Sequence, residues 1–160
     1  MIGYPAWYEG GQPDVEKVIR DLFGGLLTGV EVVSWVPPDY ASQLASGISF
    51  LRVFRLGGRI NVDTKSWVDE TRVQIAALSA SRDDSWNLIE FVRQTLYAYR
   101  NGGTVVGPSS TTFIVVPGEV VGPQLLPEQL RDERLVPVTF EVHTDRPKGL
   151  PNYRQALGLD

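Results

Sequence analysis

The chain has 160 residues, no cysteine, a single histidine and a formal net charge of -4. That length suits one domain able to hold a core unaided, and the missing cysteine excludes disulfides, thiolate metal sites and a cysteine nucleophile. The acidic balance argues against a general nucleic-acid binder, and no apolar run reaches the roughly 20 residues that would span a membrane.

Residues 1–12 read as an arm. Tyr4, Pro5, Trp7 and Tyr8 are too apolar for a solvated tail, and Gly10-Gly11 separates them from the first helix. The arm has none of the charged and long apolar regions of a signal peptide, so the sequence reads as a soluble protein kept or packaged inside the cell. Its aromatics either fold back onto the subunit or anchor on a neighbour, a role in which aromatics are favoured. A first helix is expected from Pro13-Asp14, with Val15, Val18, Ile19, Leu22, Phe23 and Leu26 as its buried stripe. Gly24-Gly25 is its natural stop, and Glu16, Lys17, Arg20 and Asp21 form a wet face.

Val30 to Val36 reads as a strand closed by Pro37-Pro38, and residues 39–47 leave room for one helical turn. A second strand, Ile48 to Leu56, is partly apolar on both faces, which suggests a central position. Gly57-Gly58 then signals a turn, and Arg59 to Thr71 reads as a charged loop around Trp67. The third strand is Arg72 to Ala80. The next element is a helix from about Asp84 to Tyr99, capped by Ser81 or Asp83 and carrying Ile89, Val92, Leu96 and Tyr99 on one stripe. Asn101-Gly102-Gly103 ends it. Thr111 to Val116 is a short strand closed by Pro117-Gly118, and Gly122 to Pro127 is a proline-punctuated crossing. Leu135 to Thr144 alternates as a strand, and Pro137 places it at an edge. Residues 146–160 read as an exposed tail, which leaves 13–145 as the folded domain.

Chemistry is sparse. His143 is expected at the surface, away from the apolar set. No cluster of His, Asp and Glu has metal-ligand spacing, the glycine pairs fit neither phosphate-cradling motif, and Asp83-Asp84 is explained by helix capping. The reading is of a protein without catalytic residues, metal or cofactor. What remains is charge. Arg52, Arg55 and Arg59 alternate with Asp63, Asp69 and Glu70, a pattern that suits either a solvated tip or salt bridges between identical subunits. The expected subunit-interface residues are Arg55, Arg59, Asp63, Lys65, Trp67 and Asp69, with Trp7 and Tyr8 from the arm.

The run Phe50-Leu51-Arg52-Val53-Phe54-Arg55-Leu56-Gly57-Gly58-Arg59, with Asp63 and Asp69 after it, resembles the tail terminator proteins of long-tailed, siphovirus-type bacteriophages, those of actinobacterial phages especially. The strand Arg72 to Leu78, the helix Asp84 to Leu96, the opening helix from Pro13 to Leu22 and the segment Gly122 to Pro127 before a strand ending Phe140-Glu141-Val142 come in the same order. The resemblance covers roughly residues 13–145 and implies an α+β subunit, a mixed and mostly antiparallel sheet with two main helices packed against it. It further implies a homo-oligomer, a hexameric ring at the head-proximal end of the virion tail, assembled in the host cytoplasm. Such a ring stops tube growth, contacts the tail tube protein and the head-completion or neck protein, and lets genome DNA pass without sequence-specific binding. Two alternatives stand beside it: a head-side neck or other minor tail protein, and a small-ligand binding module with Arg59–Thr71 as its pocket rim.

Overall fold

A computed structural model describes residues 1–108, 110–127 and 134–159; of the expected layout, Ser109, residues 128–133 and Asp160 lie outside them. The elements run α1 (Val15–Leu26), β1 (Val30–Val33), α2 (Tyr40–Ala45), β2 (Ser49–Asn61), β3 (Val68–Ser79), α3 (Arg82–Ala98), β4 (Gly103–Val106), β5 (Thr111–Val121), β6 (Leu126–Pro127), β7 (Arg134–Thr144) and α4 (Tyr153–Ala156). The strands form one sheet in the order β1-β2-β3-β7-β5-β4, with β6 also paired to β7. Among the described strands β1 and β2 are parallel, and the other pairings are antiparallel. The architecture is the expected α+β, a mixed, mostly antiparallel sheet with two long helices against it.

Strand alternation decides where the core sits. Register places Leu51, Ala77 and Val136 in one row, and Val53, Ile75 and Val138 in the next. These side chains share a face of the sheet, and the apolar stripes of α1 (Val15, Val18, Ile19, Leu22, Phe23) and α3 (Ile89, Val92, Leu96) bury onto it. Burying each large side chain contributes about 1.5–3 kcal/mol. Helix α1 touches β1 and β2 but also β4, at the far end of the strand order. A flat sheet would hold those edges ~24 Å apart, more than twice the ~10 Å width of a helix, so the sheet curls around α1. The opposite face is covered at one end by α2, where Leu44 packs with Phe50 and Leu78.

Several boundaries differ from the sequence reading for physical reasons. Asp14 is the N-cap of α1 itself, its carboxylate accepting from the Glu16 and Lys17 amides. The helix continues through Gly24-Gly25, because the Leu27 N–H still finds the Phe23 carbonyl; the glycines weaken the last turn without ending it, and Leu26 is exposed. The first strand stops at Val33, before the prolines. Residues 39–47 do hold a helical turn, α2. Ser81 caps α3, its hydroxyl accepting from the Asp84 amide at 3.1 Å. Strand β5 runs on past Pro117 to Val121 by shifting register twice against β7.

Pro137 does not mark an edge, since β7 lies between β3 and the β5–β6 line. Its carbonyl accepts from Gln124 N–H, so the face of the residue that lacks a donor points into the gap between β5 and β6 and costs β3 nothing. The largest revision concerns Gly57-Gly58. The pair sits inside β2 with φ of +148° and +135°, at a bulge where Leu56 has no partner on β3. Beyond it the ladder resumes from Gly57↔Arg72 to Asn61↔Val68. The expected loop Arg59–Thr71 is therefore mostly a β-hairpin, its β3 arm paired to β7 as far as Asp69↔Thr144, with its tip at residues 62–67.

Candidate functional site

The hairpin is built around one internal ion pair. Arg55 and Asp69 lie on the same face of β2 and β3, separated by the bulge, and the extra residue lets the guanidinium reach across. Arg55 Nη1 and Nη2 donate to Asp69 Oδ2 and Oδ1 at 2.9 and 3.0 Å, a bidentate fork. The Asp69 side chain is 1% exposed and that of Arg55 37%. Gly58 leaves no room for a side chain here, since a Cβ would stand 2.2 Å from the Glu70 carbonyl oxygen. Thr71, buried beside the pair, donates its hydroxyl to the Val142 carbonyl at 2.6 Å. The base of the hairpin is thus fixed to β7.

On the other face of the hairpin Glu70 accepts from Asn61 Nδ2 at 2.8 Å and from Arg59 Nε at 3.4 Å. The Asn61 hydrogen bond, reinforced by Arg59, holds the Glu70 carboxyl below the usual carboxylate range despite its partial burial. His143, across from Glu70 on β7, is half-buried and sits 2.6 Å from Glu141 Oε1. It faces away from the apolar set, as expected, but is not a free surface residue. Arg93 on α3 binds Glu119 on β5 and also Glu90; the Glu119 bond first, then Glu90, drives its pKa up. Leu56–Arg59, Glu70–Arg72 and Glu141 border an open depression of about 540 Å³, and the segment expected to rim a ligand pocket is a paired ladder.

At the tip Val62, Asp63, Lys65 and Trp67 are exposed, and Trp67 takes φ +48° to close the turn. Here hairpin, arm and tail meet. The Arg146 guanidinium lies over the Trp67 ring at 5.0 Å and the Tyr153 ring at 5.6 Å. Tyr153, on α4, stacks on Tyr8 and meets Trp7, each at 5.7 Å, and its hydroxyl donates to the Gly10 carbonyl at 2.6 Å. Gln12 Nε2 donates to the Trp67 carbonyl at 2.7 Å. The arm thus folds onto its own subunit, and the tail carries a short helix that receives it. Even so, Tyr4, Trp7, Tyr8 and Trp67 stay exposed.

The structure therefore pairs Arg55 with Asp69 and Arg59 with Glu70 inside the subunit, and brings Trp67, Trp7 and Tyr8 into one aromatic cluster at the tip with Lys65 and Asp63 nearby in sequence. Sequence reasoning missed Tyr153 and Arg146, and it missed Glu16, which is no wet-face residue. Glu16 Oε1 accepts the Arg55 amide at 2.8 Å and Oε2 accepts the Ser34 hydroxyl at 3.0 Å. Among the described residues no group of three or more His, Asp or Glu could hold a metal ion, and no helix is long and apolar enough to cross a membrane.

Compared with known proteins, the chain matches over residues 11–151 the model of the family described as phage tail termination protein. No curated protein matches it.

Proposed function

The chain belongs to the phage tail termination protein family, and from that premise we propose that it closes the growing tail tube as a ring of identical subunits. The family is one of structural tail proteins and not of enzymes, so the protein has a tail-assembly role and a place in the virion. In the proposed ring, six copies cap the head-proximal end of the tube, one face meets the tail tube protein and the other the head-completion proteins. Genome DNA crosses the lumen, and the net charge of -4 suits passage without adhesion.

The observation that carries this reading is the distribution of uncovered apolar surface. Ile60, Val62 and Trp67 on the hairpin and Tyr4, Trp7 and Tyr8 on the arm are all exposed, and Gln12 and Arg146 tie arm, tail and tip together. Large exposed apolar surface on a folded subunit marks a contact site, and aromatics are the residues that anchor such contacts. The charges of the hairpin base are satisfied within the chain, so they hold the hairpin rigid and leave its tip and the arm to make contacts.

Light scattering of the purified protein, alone and with tail tube protein, tests the proposal. A closed ring of discrete mass and tubes of arrested length are expected. A strict monomer that leaves tube length unchanged would overturn it. Imaging the subunit in an intact virion separates this placement from one on the head side of the joint.

A further inference from the structure

A second contact surface lies where β1 leaves the sheet. Strand β1 pairs with β2 as far as Val33 opposite Arg52, and beyond it Ser34 and Trp35 turn away and uncover Phe54. Glu16, Ser34, Trp35, Arg52 and Phe54 line an open recess of about 330 Å³. Trp35, at its rim, is 83% exposed. Arg52 lies over the Phe54 ring, its Cζ 5.1 Å from the centroid, and spends Nη2 on Gln74 Oε1 at 3.2 Å. Its Nε is buried and has no hydrogen-bond acceptor. Glu16, the carboxylate of the recess, is already engaged by the Arg55 amide and the Ser34 hydroxyl. The recess therefore offers two aromatic surfaces beside the Arg52 guanidinium, a cation with no ion-pair partner among the described residues. The group that complements it joins an apolar side chain to a neighbouring carboxylate.

The chain carries such a group. At the hairpin tip Val62 is 63% exposed, and the carboxylate of Asp63 beside it accepts no hydrogen bond from any described residue. We propose that Val62 and Asp63 of one copy dock in the Trp35–Phe54–Arg52 recess of a second copy, valine against the aromatics and carboxylate on the Arg52 guanidinium. The inference rests on the ring reading and names the contact that would build it. Phe54 and Val62 stand eight residues apart on a paired strand, ~26 Å at ~3.3 Å per residue, so the tip cannot fold back into its own recess. Complementary patches at opposite ends of one rigid hairpin make a head-to-tail contact, and such contacts generate closed rings when the rotation closes.

A charge exchange tests it. Asp63→Arg sets arginine against Arg52, and Arg52→Glu sets glutamate against Asp63, so each variant alone is expected to raise the concentration at which the assembly dissociates by tenfold or more. Mixed one to one, every contact in an alternating ring is again opposite in charge, and assembly returns. Circular dichroism melts report folding. If Arg52→Glu does not fold, Trp35→Ala and Val62→Ser, both at exposed positions, are each expected to weaken assembly tenfold. Folded single variants that assemble like wild type, or folded variants whose mixture stays dissociated, overturn the contact. A wild-type chain that stays monomeric at every concentration overturns the ring reading itself, so the two failures are told apart.

Discussion

Replacing Arg55 by methionine isolates the device on which the hairpin depends. The substitution keeps most of the apolar stem and removes both hydrogen bonds to Asp69, at 2.9 and 3.0 Å. The carboxylate, 1% exposed, is left buried with no counter-charge. Breaking a fully buried pair costs ~3–5 kcal/mol. Arg55 is itself more than a third exposed, water can enter beside it, and the lower end applies, ~3 kcal/mol. In a chain of this size each kcal/mol lowers the melting temperature by about 2–4 °C, so Arg55→Met should melt ~6–12 °C early. Asp69→Asn keeps the shape and a neutral hydrogen bond and should lose only ~1–1.5 kcal/mol. The double variant has no stranded charge and should be more stable than Arg55→Met alone, a positive coupling in the mutant cycle. Urea unfolding at fixed protein concentration gives the energies, and amide exchange at Ile60 and Thr71 gives the local effect. If Arg55→Met falls within ~0.5 kcal/mol of wild type, and the double variant gains nothing on it, the pair is idle and does not hold the hairpin base.

Gly58→Ala should cost ~2 kcal/mol or more, because the new Cβ meets the Glu70 backbone at a positive φ, whereas Gly57→Ala meets open space and bears backbone strain alone; equal urea midpoints would refute the bulge geometry. Asn61→Ala should raise the Glu70 pKa toward 4.5. A depressed carboxyl stabilises the fold above its unfolded pKa and loses that stabilisation as the pH falls, so the variant should also show less acid destabilisation from this group. Carboxyl carbon NMR reads the titration directly, and an unmoved curve contradicts the assignment. Ser81→Ala should lose ~1 kcal/mol by removing the α3 cap, with Ser81→Asp close to wild type in thermal melts.

The parts of the fold written in periodicity were legible. Val15 to Phe23, Ile89 to Leu96 and the alternation from Val136 to Val142 fall on one core face because 3.6- and 2-residue repeats leave few other ways to bury them. Gly57-Gly58 misled because the local signal is the same for a turn and for a bulge. Which one forms depends on whether β3 keeps pairing beyond the glycines, and the Arg55–Asp69 pair helps it do so. Pro137 misled for a related reason: its missing donor matters only on the side where a partner carbonyl waits. The tail was unreadable because Tyr153 finds its partners, Tyr8 and the Gly10 carbonyl, at the other end of the chain. Of the candidate site, residue types were visible from sequence, while the pairing of Arg55 with Asp69 and of Arg59 with Glu70 was not.

A subunit proposed to close a growing tube should not itself offer an open strand edge. Beyond Arg52, no described residue pairs with β2 on its β1 side, and an unpaired edge is a template for further strands. Two features blunt it. Glu16 occupies the Arg55 amide, and the bulge at Leu56 breaks the flat run from Phe54 to Asn61, adding twist that a neighbouring strand cannot match. Glu16→Ala combined with deletion of Leu56 should expose and straighten that edge. The expected outcome is strand-rich aggregate far larger than the native assembly, seen together in light scattering and thioflavin fluorescence. If the doubly altered chain folds and keeps the wild-type size distribution, edge protection does not limit how far this subunit assembles.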